Sequence, residues 1–163
     1  MAGNLLTKYG TNNQAITISL GSLASSTSGA GRASTVVDNT TNQFVDALVS
    51  VKITTNATTG TIATGYATVY AYGTTDGGTT YTENATGTDA VITLTQPTNA
   101  KPIGVLNLVA NNTAYAAGPF SVAKAFDGIL PDHWGIIVVN SSGASLNAAG
   151  NLVTYQGVEG QYT

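Results

Sequence analysis

Apolar side chains recur at every second position in short runs, and turn-forming residues interrupt them. The clearest run is 44–54 (FVDALVSVKIT), where Val45, Ala47, Val49, Val51 and Ile53 share one parity while Asp46, Ser50 and Lys52 occupy the other. Side chains alternate between the two faces of a strand, so the apolar set turns to a core and the charged pair to water. A helix is the competing reading. The β-branched residues gathered on one parity, with Asn and Thr following at once, favour a strand.

The same period marks a first strand at 14–20 (Ile16, Ile18 and Leu20 on one face) and a short block from Ala33 to Val37 that turns at Asp38-Asn39. In 61–72, Tyr66, Tyr70 and Tyr72 share parity. Asp76-Gly77-Gly78 then supplies a hairpin-type turn, from which Tyr81 starts a return strand. Ile92 and Leu94 point inward in 90–95. The segment 103–110 carries apolar residues on both parities, as a central strand covered on two sides would. In 134–140 (WGIIVVN) the chain is at its most apolar, with Trp134, Ile136 and Val138 on one inward face, and 152–158 closes the series. Between Tyr115 and Trp134 the pattern changes: Val122, Ala125, Phe126 and Ile129 fall on one side of one or two helical turns bounded by Gly128 and Pro131. Phe120, Phe126 and Ile129 are expected to pack near the start of the Trp134 strand.

These segments predict an all-β fold, an antiparallel β-sandwich of jelly-roll-like kind with one short helix near 120–128. The domain is expected to span 11–163 behind an N-terminal arm at 1–10. Parallel α/β organisation fails for want of crossover helices.

Composition narrows the function. Thr, Ala, Gly, Asn and Ser fill 93 of 163 positions, and Asp, Glu, Lys and Arg make up 8% against roughly 25% in an ordinary domain. A net charge of −3 with scattered signs offers no basic stripe for phosphates, which argues against nucleic acid as a partner. With no Cys and one His, thiolate catalysis, disulfides and multi-histidine metal sites are excluded. Neither a secretion leader nor a run of apolar residues long enough to span a membrane is recognisable, so the expectation is a chain made soluble, with no membrane partner.

Four groups of residues invite chemistry. Asp132-His133, with Ser141 and Ser142 one strand later, contains the parts of a hydrolytic triad but lacks a Gly-x-Ser-x-Gly elbow; a polar loop entering the Trp134 strand is the preferred reading. Carboxylates at Asp38 and Asp46, or at Asp76, Glu83 and Asp89, would suit Ca²⁺ only with added backbone carbonyls, and solvated turns are the default. Gly29-Ala30-Gly31-Arg32 lacks the Lys-Ser/Thr of a phosphate loop. No catalytic, cofactor-binding or metal residue is therefore assigned. The fourth group is aromatic: Tyr66, Tyr70, Tyr72 and Tyr81 cluster around one hairpin, and such rings suit a protein interface, a sugar platform or cross-strand stabilisation of the sheet. They are the candidate interface.

The stretch 120–146 (FSVAKAFDGILPDHWGIIVVNSSGASL), followed by 152–158, resembles the C-terminal part of small virion structural proteins of tailed bacteriophages, with the likeness centred on Leu130-Pro131-Asp132-His133-Trp134-Gly135. The cysteine-free, charge-poor body is similar in texture. The resemblance implies a non-enzymatic β-sandwich that packs into a virion through contacts with other virion proteins, foremost as a capsid decoration (cement) protein and alternatively as a tail or head-tail component. It implies synthesis in the host cytoplasm and a homo-oligomer, with a trimer favoured. The rival class is a lectin-like carbohydrate-binding module, which requires a groove lined by Trp or Tyr with Asn or Asp. An enzyme is third, disfavoured by the shortage of ionisable residues.

Overall fold

A computed structural model describes residues 4–56 and 61–162. Among them are eleven strands: β1 (Leu5–Tyr9), β2 (Gln14–Ala15), β3 (Ala30–Ala33), β4 (Val37–Asp38), β5 (Asp46–Thr54), β6 (Gly65–Thr74), β7 (Ala90–Thr93), β8 (Lys101–Leu108), β9 (Ala114–Ser121), β10 (His133–Asn140) and β11 (Leu152–Tyr162). They form two antiparallel sheets. One runs β1-β11-β5-β9, with β2 also on β11; the other runs β7-β3-β10-β6-β8, with β4 also on β10.

The inward faces follow the alternation. Ala47, Val49, Val51 and Ile53 of β5 and Val153 and Tyr155 of β11 meet Trp134, Ile136 and Val138 of β10 and Ala67, Val69 and Ala71 of β6 in one buried cluster. Trp134 and Tyr155 touch edge to face across the sheets, with ring centroids 5.3 Å apart. Each such ring removes a large apolar area from water, the main driving force for closing the sandwich.

A second cluster lies on the other side of the β10 sheet. Tyr72, Ile137, Val139 and Ala33 are covered there by Ala85, Leu94 and Ala100, all from the connection between β6 and β8. Outside β7, which joins the edge of this sheet beside β3, that connection folds back over the sheet as a third layer, which is why β10 is buried on both faces.

Several sequence expectations are corrected. Tyr81 starts no return strand: a 3-10 turn at Thr82–Asn84 follows it, and β7 pairs with β3 rather than β6. The 103–110 segment is an edge strand, not a central one. A bulge opposite Val69 and Tyr70 breaks its parity, so Ile103 and then Leu106 and Leu108 all turn inward. The expected helix near 120–128 is a single 3-10 turn, Ala123–Phe126, and residues 114–121 before it pair with β5 as β9. Ile129 lies outside the core at 77% exposure, while Phe120 and Phe126 pack against the core only in part.

The strand foreseen at 14–20 is regular only at Gln14–Ala15, although Ile16 and Leu20 are buried. The block from Ala33 to Val37 is split between β3 and β4: the Ser34 amide still donates to the Ile136 carbonyl, but the Ser34 hydroxyl takes the Ile136 amide while the Ser34 carbonyl accepts from Tyr72. Of the expected arm, residues 1–3 lie outside the described residues, and Leu5–Tyr9 is the edge strand β1 along β11.

Candidate functional site

The triad components do not assemble. His133 opens β10, with Nδ1 3.4 Å from Asp132 Oδ1 and Nε2 4.0 Å from Asp38 Oδ1. The first contact falls short of a hydrogen bond, since both of its atoms are buried without a hydrogen-bond partner. Ser141 and Ser142 lie beyond the far end of the strand, about 26 Å away at the usual rise per residue. Their hydroxyls are engaged, Ser141 donating to the Ser26 carbonyl and Ser142 to that of Ala144. The Asp38 carboxyl sits below its ordinary range chiefly because the Thr40 hydroxyl and amide donate to it; His133 contributes least.

The carboxylates proposed as a cation set hold separate loops. Asp76 accepts from the Thr74 hydroxyl and from the amides of Thr79 and Thr80. Glu83 is nearly buried. Its carboxylate gathers the amides of Thr95, Asn99 and Ala100 with the hydroxyls of Thr95 and Thr98. Burial pushes its pKa up, and these donors together bring it down to about 2. Asp89 is likewise raised by desolvation and then held at about 2 by Arg32 and by the Ser19 hydroxyl and amide. No group of three or more His, Cys, Asp or Glu side chains converges among the described residues.

The four tyrosines do not make one surface. Tyr66, Tyr70 and Tyr72 lie on the face of β6 that the β6–β8 connection covers, and Tyr72 is fully buried. Its hydroxyl donates to the Ser34 carbonyl at 2.7 Å, and Tyr81 meets its ring edge on, with centroids 5.5 Å apart. Burial pushes the Tyr72 phenol up to about 12. Gly135, directly across the ladder, has no room for a Cβ beside this ring. Tyr72 therefore leaves the candidate interface for the core. Tyr70 and Tyr81 are partly covered, and Tyr66 keeps an exposed ring at the β6–β8 edge.

The opposite sheet is open. Ser50, Lys52, Leu152, Thr154, Ala116 and Gly118 line a shallow trough of about 270 Å³ on its outer face, with no aromatic ring in it. Beyond this body β11 continues: β5 accompanies it from Leu152 to Val158, whereas Glu159–Tyr162 pairs with β1 alone. The result is a two-stranded ribbon in which Leu5, Leu6, Tyr9 and Tyr162 are exposed. Sequence reasoning passed over this feature. The Leu5-Leu6 pair and Tyr9 in an otherwise polar opening were its available signal.

Comparison of the chain with protein-family models, with curated proteins and with solved structures finds no match.

Proposed function

We propose that this protein is a non-enzymatic structural subunit of a bacteriophage particle, a capsid decoration protein acting through protein–protein contacts, built on a jelly roll. The observation that carries the reading is the nesting of its strand pairs. With β2, β4 and β7 set aside, eight strands remain, and the first pairs with the last (β1·β11), the second with the seventh (β3·β10), the third with the sixth (β5·β9) and the fourth with the fifth (β6·β8). Such a folded ribbon, rolled so that β11 also meets β5 and β10 meets β6, is a jelly roll, an architecture used by viral capsid and lectin domains.

Two features favour the particle over the lectin. Trp134, the ring best suited to stack on a sugar, is buried, and in the groove where Tyr81 and Phe126 meet Asp76 that carboxylate is taken up by its own loop, accepting from the Thr74 hydroxyl and the Thr79 and Thr80 amides. The surface is also poor in charge and rich in small side chains, which are cheap to desolvate and lose little side-chain entropy when neighbours cover them.

The test is reconstitution. Particles made without the protein are mixed with increasing amounts of it, and bound copies are counted by gel densitometry. Saturable rebinding at a fixed number of copies is expected, with lower occupancy at limiting concentration for Tyr66→Ser, the exposed member of the tyrosine group. Failure of the wild type to bind any particle component, together with saturable binding to a glycan, would overturn this in favour of the lectin-like module.

A further inference from the structure

A sheet edge presents unpaired N–H and C=O groups, and proteins normally blunt such edges with proline, bulges, charge or brevity. Three of the four sheet edges here are treated in this way. β7 has four residues. β8 carries Pro102 and a bulge, and β9 carries Gly118-Pro119. β8 and β9 also shield each other, since Phe120 of β9 lies against Gly104 of β8.

β1 is protected least among the described residues, by one charged side chain and a length of five residues. It is straight along all five of its pairs with β11, it contains no proline, and its one charge, Lys8, is spent on Glu159 of its own ribbon at 2.9 Å. Every residue of β1 is exposed, with Leu5 at 67% and Tyr162 beside it at 76%. An isolated two-stranded ribbon is marginal in water, so this one gains from a third strand.

We propose that β1 pairs antiparallel with β1 of a second copy of this chain, about a two-fold axis at Thr7. The order of residues in the strand is the reason for choosing a second copy. Pairing about Thr7 sets Leu5 opposite Tyr9 of the other copy, twice, on the face that also carries Tyr162 and Val158. Leu6 falls opposite Lys8, so no like charges meet. Cross-strand pairs of an aromatic with an aliphatic side chain stabilise a sheet, and a two-fold contact of this kind closes on itself. The free edge of β11, Glu159–Tyr162, is a poorer template: self-pairing there sets Tyr162 against Glu159 and gains no apolar pair. The ribbon alone covers less than the roughly 800 Å² per partner of a standard interface, so the dimer is expected to dissociate on dilution in the micromolar range.

The inference does not depend on the particle reading, because self-association is measured on the purified full chain. Sedimentation analysis of the wild type over a concentration series should show a monomer–dimer equilibrium. The double variants Leu5→Lys/Tyr9→Lys and Leu5→Glu/Tyr9→Glu should each be monomeric with an unchanged far-UV spectrum, since the altered side chains are exposed. Mixed together they should restore a dimer, because lysine then faces glutamate in both pairs; Leu152→Lys, at the other end of β11, should leave the wild-type equilibrium unmoved. A wild type that stays monomeric at high micromolar concentration, a trimer, or folded monomeric variants that fail to pair on mixing would overturn the proposal. Particle occupancy is scored separately, so loss of the dimer with retained occupancy separates the two readings.

Discussion

Tyr72 and Gly135 face each other across β6 and β10, and each dictates the other: the ring fills the space a Cβ would need. Tyr72→Ala should therefore cost about 3–5 kcal/mol, the usual range for emptying a large buried site, whereas Tyr72→Phe should lose about 1 kcal/mol with the hydrogen bond to Ser34. Chemical denaturation of the two variants checks both figures. Gly135→Ala overpacks the same spot and should destabilise by about 1–3 kcal/mol. The parity of Tyr66, Tyr70 and Tyr72 was readable in the sequence. Which ring would be buried was not, because that depends on where the connection after β6 brings Ala85, Leu94 and Ala100.

At the scale of elements, the β6–β8 connection outside β7 is organised by carboxylates rather than by a ladder. Glu83 and Asp89 both titrate near 2 when folded, below their ordinary values of 4.5 and 3.8. A depressed folded pKa contributes stability that is present above the unfolded pKa and is lost as pH falls through the folded one, so the loss should run from about pH 4.5 down to about 2. Glu83→Gln should lower stability at pH 7 by about 1.5–3 kcal/mol, the worth of hydrogen bonds to a charged group, and should flatten this acid dependence. Thermal melts of wild type and variant across pH 2–7 decide it. The 3-10 turn at Ala123–Phe126 gives a second element-scale expectation. Phe126 is only partly buried, so Phe126→Ala should cost about 2 kcal/mol, less than the 3–5 kcal/mol of a fully buried ring.

At the scale of the whole molecule, the nested pairing of β1 with β11, β3 with β10 and β5 with β9 ties residues far apart in sequence, so folding depends on non-local contacts and is expected to be slow, on the millisecond-to-second scale by stopped-flow fluorescence of Trp134. The amino-acid sequence by itself determined the all-β class and the inward faces of β5 and β10, because a period of two in apolar residues is a local property that the pleat converts directly into burial. Only the tertiary structure decided that 103–110 is an edge, that 114–121 is a strand, that the β6–β8 connection roofs one sheet and that β1 is left uncovered among the described residues. The physical reason is common to all four. Edge or centre, covered or open, is set by which other segment comes to lie alongside, and long-range pairing leaves no mark on local spacing.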